Sequence, residues 1–289
     1  MITEGHDALL ADLDLRSTAE VVRAVNEANG VVLEVLREAE GVLAALVDAV
    51  APLTGRVIYV GAGSAGAMAA ADAAEWGPTF GLPDDAVVAL VAGGRLPAGP
   101  ERESAEDDAQ AGAAELRALT PTVDDVVVAV SASGATPYAV AALEVARGAG
   151  ALTAAIVCVP HAALADLADH AVVLPVGPEV IAGSTRLKAG TAQKLVLNAF
   201  STAVMVRRGR TYGDLMTSMR VANAKLRDRA ARLCVAATGC SEEAASSALA
   251  DAGDDVAVAV VMLARATDAA TARALLEATG GNVRGALET

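Results

Sequence analysis

Five short runs between residues 56 and 176 are apolar at consecutive positions: "RVIYV" (56–60), "AVVALV" (86–91), "DVVVAV" (125–130), "LTAAIVCV" (152–159) and "HAVVLPV" (170–176). A strand with one face in water alternates apolar and polar residues, whereas a strand covered on both faces does not. These runs therefore predict buried strands. Helical stretches lie between most of them, at about 66–76, 104–119, 137–149 and 162–168. Strand–helix alternation of this kind predicts an α/β fold with a parallel, doubly wound sheet.

Ahead of the first run, residues 16–50 keep a helical period and predict one long helix. Its start is marked by "STAE", Ser17 to Glu20, which has capping-box spacing. From about residue 190 the strand pattern stops. Residues 190–208 and 219–237 predict helices, and 241–251, 254–264 and 268–278 predict a compact three-helix module. The expected organisation is a helical segment 1–55, an α/β domain 56–237 and a C-terminal three-helix module 238–289.

Composition narrows the chemistry. The 289 residues are 54% apolar but only 2% aromatic, so the core must rest on Val, Leu and Ile, with close helix packing through Ala and Gly. A net charge of −14, with Arg and Lys scattered, argues against nucleic acid as a partner, which needs a basic surface. No apolar run nears the roughly 20 residues of a membrane span. The start "MITEGHDALLADLD" has no apolar signal core, so a cytoplasmic protein is expected. Cys158, Cys234 and Cys240 have no metal-binding spacing, which fits a reducing compartment. His6, His161 and His170 are far apart in sequence. Ser–His, Cys–His and zinc chemistry all need a His held beside its partner. The expected acids and bases are therefore carboxylates or Lys.

Parallel sheets bind ligands at the carboxyl ends of their strands. The loop "GAGSAG" (61–66) offers glycines and the Ser64 hydroxyl ahead of a helix, whose free N–H groups and dipole suit an anion. Gly61, Gly63 and Gly66 also fit a dinucleotide fingerprint, yet no acid closes the second strand to hold a ribose. A plain tight turn remains open as well. The loop "SASGAT" (131–136) can point the hydroxyls of Ser131, Ser133 and Thr136 at one phosphate, with Gly134 letting the backbone approach. Two such loops on neighbouring strands predict a small phosphate monoester, with sugar phosphate the natural case. Glu75 stands beside Trp76, the only Trp, and a carboxyl next to an indole can be desolvated and hold its proton more tightly. Glu106 opens the helix at "AEDDAQAG", where acids also simply suit the helix dipole.

Together, "GRVIYVGAGSAG", "DAAEWGPTFG", "AEDDAQAG", "DVVVAVSASGATPY" and above all "GPEVIAGSTRLKAGTAQKLVLN" (177–198) resemble the N-acetylmuramic acid 6-phosphate etherases, of the sugar-isomerase (SIS) fold. The resemblance implies an SIS-type five-stranded parallel sheet flanked by helices, with a small C-terminal helical module. It implies a carbon–oxygen lyase that cleaves the lactyl ether of N-acetylmuramic acid 6-phosphate, giving N-acetylglucosamine 6-phosphate and D-lactate. It further implies no cofactor and no metal, and a cytoplasmic homodimer with the site near its interface. On the same ground Glu75 is the proton donor to lactate and Glu106 the second catalytic acid or base. Ser131, Ser133 and Thr136, with Ser64 of the first loop, hold the phosphate. Residues 177–189 close over the open-chain sugar with Glu179, Ser184, Thr185 and Lys188 as polar contacts, or else serve dimer packing and helix capping. The chain departs from the family pattern at Ala65, where a hydroxyl is lost, at Ala67 and Ala135, where Arg is lost, and at Trp76-Gly77, which replaces Cys-Pro. Arg gives forked, charge-assisted bonds to phosphate and carboxylate. Two alternatives therefore stand beside the etherase: a lyase or isomerase for a different sugar phosphate, and a catalytically weak sugar-phosphate-binding regulator.

Overall fold

The computed structural model describes residues 5–94 and 104–289, so the first four residues of the expected 1–55 segment lie outside the described residues. The five apolar runs form five strands: β1 (Val57–Gly61), β2 (Val87–Val91), β3 (Val126–Ser131), β4 (Leu152–Val157) and β5 (His170–Val173). All pairings are parallel, in the order β2-β1-β3-β4-β5. Strand β1 is central enough that Val57 faces Val87 on one side and Val126 on the other. Every residue of β1 and β3 is buried, as continuous apolar runs require. Strand β5 stops short of the predicted 176 because Pro175 has no N–H to give to a ladder.

The helices differ from the sequence reading in several places, and the one expected over 219–237 begins only at Ala224, capped by Asn223. The expected single helix 16–50 is two, Thr18–Ala28 and Gly30–Val50. The Asn29 side chain donates to the Val25 carbonyl and its N–H turns to the Asn26 and Glu27 carbonyls, which ends the first helix one residue before Gly30. The predicted capping box of Ser17 and Glu20 is present. The helix after β1 runs Gly63–Phe80, longer than 66–76 and carrying Pro78 in its last turn. The helix expected over 104–119 covers Ala109–Ala118, because the Asp108 carboxylate caps it through the Ala111 N–H. Glu106 therefore lies in a short helical turn ahead of this helix and does not open it.

By compactness the chain divides into two units, residues 1–73 with 85–201, and residues 74–84 with 202–289. The first contains the sheet. In the second, Ala224–Thr238, Glu242–Asp251, Val256–Arg265, Ala269–Ala278 and Val283–Glu288 pack around buried Cys234, Leu249, Val258, Val260 and Val283. The last of these helices adds a fourth to the three read from the sequence beyond residue 238. Each of the five starts at a side-chain cap, from Asn223, Ser241, Asp255, Asp268 and Asn282 in turn. Such caps satisfy N–H groups that short helices otherwise leave open.

At the amino end of the sheet, Arg56 joins β1 to β3. Its guanidinium holds Asp125 through Nε (3.1 Å) and NH2 (2.7 Å), and its backbone N–H adds a third bond at 2.7 Å. Burial pushes the Asp125 carboxyl up, but the bonds from Arg56 and Thr122 outweigh it and hold the group at about 2. A depressed carboxylate contributes stability above its unfolded value of 3.8 and loses it as pH falls toward 2. Arg56→Met leaves a buried charge without its partner and is expected to destabilise the fold by about 3 kcal/mol. Urea unfolding at pH 7 and pH 3 checks this: the difference between wild type and variant should shrink at the lower pH, and an equal difference at both removes the linkage.

Candidate active site

In a 2-1-3-4-5 sheet the strand order reverses between β1 and β3, and the crevice beyond their carboxyl ends is the default ligand site. The structure places a cleft of about 260 Å³ there. It is lined by Gly63, Ser64 and Ala65 after β1, by Ser131, Ser133 and Thr136 after β3, and by Glu106, Thr185 and Gln193.

The glycines of the first loop divide their labour. A Cβ on Gly66 would sit 2.9 Å from the Gly61 carbonyl carbon and from Val91 Cγ1, and one on Gly61 would sit 2.9 Å from the Val130 carbonyl oxygen. These two let the helix seat against the sheet. Gly63, with φ +54°, makes the turn that presents Ser64. The dinucleotide spacing is thus accounted for by packing.

The second loop is held by its own hydroxyls. Ser131 Oγ lies 2.8 Å from Thr136 Oγ1 and 3.3 Å from Ser133 Oγ, and accepts the Gly134 N–H at 3.0 Å. Ser133 Oγ accepts the Ala135 N–H at 3.2 Å. Gly134 has φ +66°, and a Cβ there would collide with Ala162 Cβ at 2.4 Å. The loop ends at Thr136, the N-cap of Pro137–Gly148, whose side chain makes no capping bond. The three hydroxyls thus converge beside the N-terminal dipole of a twelve-residue helix, an arrangement suited to an anion with several acceptor oxygens.

The 177–198 block contributes differently from expectation. Thr185 lines the cleft, while Glu179, Ser184 and Lys188 do not. Glu179 is 1% exposed, and its two carboxylate oxygens accept the Lys188 N–H (3.0 Å) and the Ala189 N–H (2.9 Å). It caps the helix Lys188–Arg207 from nine residues upstream. Ser184 is used in the turn, where its carbonyl accepts the Leu187 N–H. The residue of this block that sequence reasoning missed is Gln193, 1% exposed, whose Nε2 has no hydrogen-bond partner among the described residues. A buried amide donor left open on a cleft wall is costly unless a ligand takes it. The sequence carries little signal for it, since Gln193 is one of several polar residues, with Thr191, Lys194 and Asn198, in "AGTAQKLVLN".

Glu75 is exposed, belongs to the second unit and does not line this cleft. The desolvation expected from Trp76 is absent. Consecutive helical residues face different ways, and Trp76 is buried edge-on against Phe80, with ring centroids 6.5 Å apart, while Glu75 points to water. At the lost Arg positions, Ala135 is exposed beside the serine loop and Ala67 is half-buried. Thiol chemistry has no support here: burial, with the Glu179 charge added, pushes Cys158 up to about 12. Among the described residues, no three His, Cys, Asp or Glu are grouped to hold a metal ion, and no helix is long and apolar enough to cross a membrane.

Residues 37–147 match the glucokinase regulatory protein N-terminal SIS domain, and residues 111–203 match the SIS domain. The chain is 48% identical to an N-acetylmuramic acid 6-phosphate etherase of Rubrobacter xylanophilus, over 99% of this chain and 96% of that protein. It is 44% identical to the protein of the same name from Streptomyces avermitilis, over 99% and 93%. Among solved structures, a phosphoheptose isomerase from Francisella tularensis aligns with a TM-score of 0.53 at 16% identity, covering 66% of this chain and all of that one. A protein of Escherichia coli CFT073, solved as a complex, aligns with a TM-score of 0.51 at 20% identity, covering 69% and 97%. These two likenesses concern the fold.

Proposed function

The chain belongs to the N-acetylmuramic acid 6-phosphate etherase family, and from that premise we propose that the serine-rich cleft binds the phosphate of N-acetylmuramic acid 6-phosphate. The enzyme is a carbon–oxygen lyase that releases D-lactate and N-acetylglucosamine 6-phosphate. The observation that carries the site assignment is the meeting of Ser64, Ser131, Ser133 and Thr136 with one carboxylate, Glu106, in a single cleft at the sheet's switch point.

The chemistry asks little beyond two carboxylates. Opening of the sugar gives an aldehyde that acidifies the hydrogen on carbon 2. A base removes that proton, the ether bond to lactate breaks, and an acid protonates the departing lactate oxygen. Water then adds to the unsaturated intermediate, so the net change is hydrolysis. Positioned carboxylates supply both proton transfers. Glu106 is the carboxylate within the cleft; the proton to lactate is assigned to Glu75 on the family resemblance alone, since Glu75 does not line this cleft. Gln193 Nε2 and the Thr185 hydroxyl, both on the cleft lining, would bond oxygens of the open chain. Two further readings rest on the departures at Ala65, Ala67 and Ala135: a different sugar phosphate as substrate, or a weakly catalytic regulator. They are separated from the first by assay of released lactate.

A homodimer accompanies this reading. Val22 and Leu33, on the helices Thr18–Ala28 and Gly30–Val50, are 54% and 57% exposed, an apolar face that a second copy would cover. A single-chain mass in sedimentation at micromolar concentration counts against it. The phosphate assignment is tested by Ser133→Ala. The Michaelis constant is expected to rise about tenfold, for one lost hydrogen bond to a charged group, with turnover little changed. An unchanged Michaelis constant with lowered turnover defeats the assignment.

A further inference from the structure

The second unit carries an open cavity of about 600 Å³ that shares no lining residue with the serine-rich cleft. Its floor is apolar, formed by buried Phe80, Met219, Val258 and Leu276. Set among them is Thr217, 1% exposed, whose Oγ1 has no hydrogen-bond partner among the described residues. A buried hydroxyl left unpaired destabilises the free protein, so its place on a cavity wall points to a ligand that completes it.

Three guanidinium groups line the same cavity: Arg210, Arg220 and Arg273. Two have protein partners. Arg220 donates to the Leu82 carbonyl and pairs with Asp84 at 2.9 Å, and Arg273 donates to the Ala252 carbonyl with Asp255 3.7 Å away. Arg210 is half-buried, and its guanidinium makes no hydrogen bond or ion pair among the described residues. Burial and, after it, the charge of Arg210 lower the proton affinity of Arg208. The carboxylates on the cavity do not supply a partner. Asp254 is bound twice by Arg227, Asp255 caps the helix Val256–Arg265 through the Val258 N–H, and Glu277 is exposed at the rim.

We propose that this cavity is a second ligand site, one that takes a small amphipathic anion. The acid group, a phosphate monoester or a carboxylate, binds Arg210. An apolar body lies on the Phe80–Met219–Leu276 floor, and an acceptor on the ligand receives the Thr217 hydroxyl. Guanidinium suits either acid group because its forked N–H pair matches both. Nothing in the etherase reaction requires this site, and the proposal stands apart from the assignment of the serine-rich cleft.

The test is calorimetric titration of the full chain carrying Ser131→Ala and Ser133→Ala, which disables the other anion site. One arm uses 4-nitrophenyl phosphate and the other 4-nitrobenzoate; inorganic phosphate serves as the reference without an apolar body. Saturable binding of one aromatic probe, at least tenfold tighter than inorganic phosphate and weakened at least tenfold by Arg210→Met, is the expected result. The arm that binds identifies the acid class. Thr217→Val provides the second reading: it should raise the thermal midpoint of the unliganded protein, because an unpaired polar group is removed, while weakening the probe severalfold. Absence of saturable binding in both arms, or binding unaffected by Arg210→Met, overturns the proposal. So does a Thr217→Val protein that melts lower without ligand and binds the probe as before, since the hydroxyl would then be structural.

Discussion

Glu106→Gln is expected to lower turnover of N-acetylmuramic acid 6-phosphate by about 100- to 10,000-fold, the usual contribution of a positioned acid or base. Gln keeps the shape and removes the proton transfer. The fold should not suffer, because Glu106 is exposed in the turn that precedes the Asp108 cap and lines an open cleft. The loss should fall on turnover and not on the Michaelis constant, since the phosphate is assigned to the hydroxyls of Ser131, Ser133 and Thr136. Exchange of the carbon-2 hydrogen with deuterated solvent identifies the step. If Glu106 is the base at carbon 2, exchange in the variant falls along with lactate release. A variant that exchanges normally but does not complete the addition of water assigns Glu106 to the later step. Wild-type release of lactate by Glu106→Gln would take the cleft out of the chemistry.

How much of this was legible in the residues depends on whether local or long-range forces decided the outcome. The strands were legible because burial on both faces leaves a mark at every position; β3, apolar and buried from Val126 to Val130, has no other reading. The hydroxyl cluster of the 131–136 loop was legible because three hydroxyls within six residues converge by their own hydrogen bonds. The choice between sugar contact and helix capping could not be made for Glu179 from the sequence, because its partners, the first N–H groups of a helix nine residues on, come within reach only when the loop folds back. A polar residue in a polar loop looks the same whether it faces a ligand or a helix end. Gln193 escaped for the opposite reason. One polar residue among several in a helix resembles a surface position until both its burial and its open donor are known. The strand order, which creates the switch point between β1 and β3, leaves no local trace at all, because register and neighbour choice are settled between segments far apart in the chain.

Glu75→Gln is expected to abolish lactate release to a similar degree, about 100- to 10,000-fold, while leaving carbon-2 exchange intact. A protein that lacks the acid for the leaving oxygen can still remove the carbon-2 proton and return it, so the label enters the substrate although the ether bond holds. This separation of exchange from cleavage distinguishes the two carboxylates more sharply than turnover alone. The substitution is structurally mild, since Glu75 is exposed on the helix Gly63–Phe80. The neighbouring position behaves oppositely. Trp76 is buried against Phe80, so Trp76→Ala removes a large core side chain and is expected to destabilise the second unit by about 3–5 kcal/mol. A loss of activity in Trp76→Ala is therefore no evidence about the proton on Glu75. If Glu75→Gln releases lactate at the wild-type rate, the proton donor lies elsewhere in the chain. If it loses exchange as well as release, Glu75 acts at carbon 2, and its role and that of Glu106 must be interchanged.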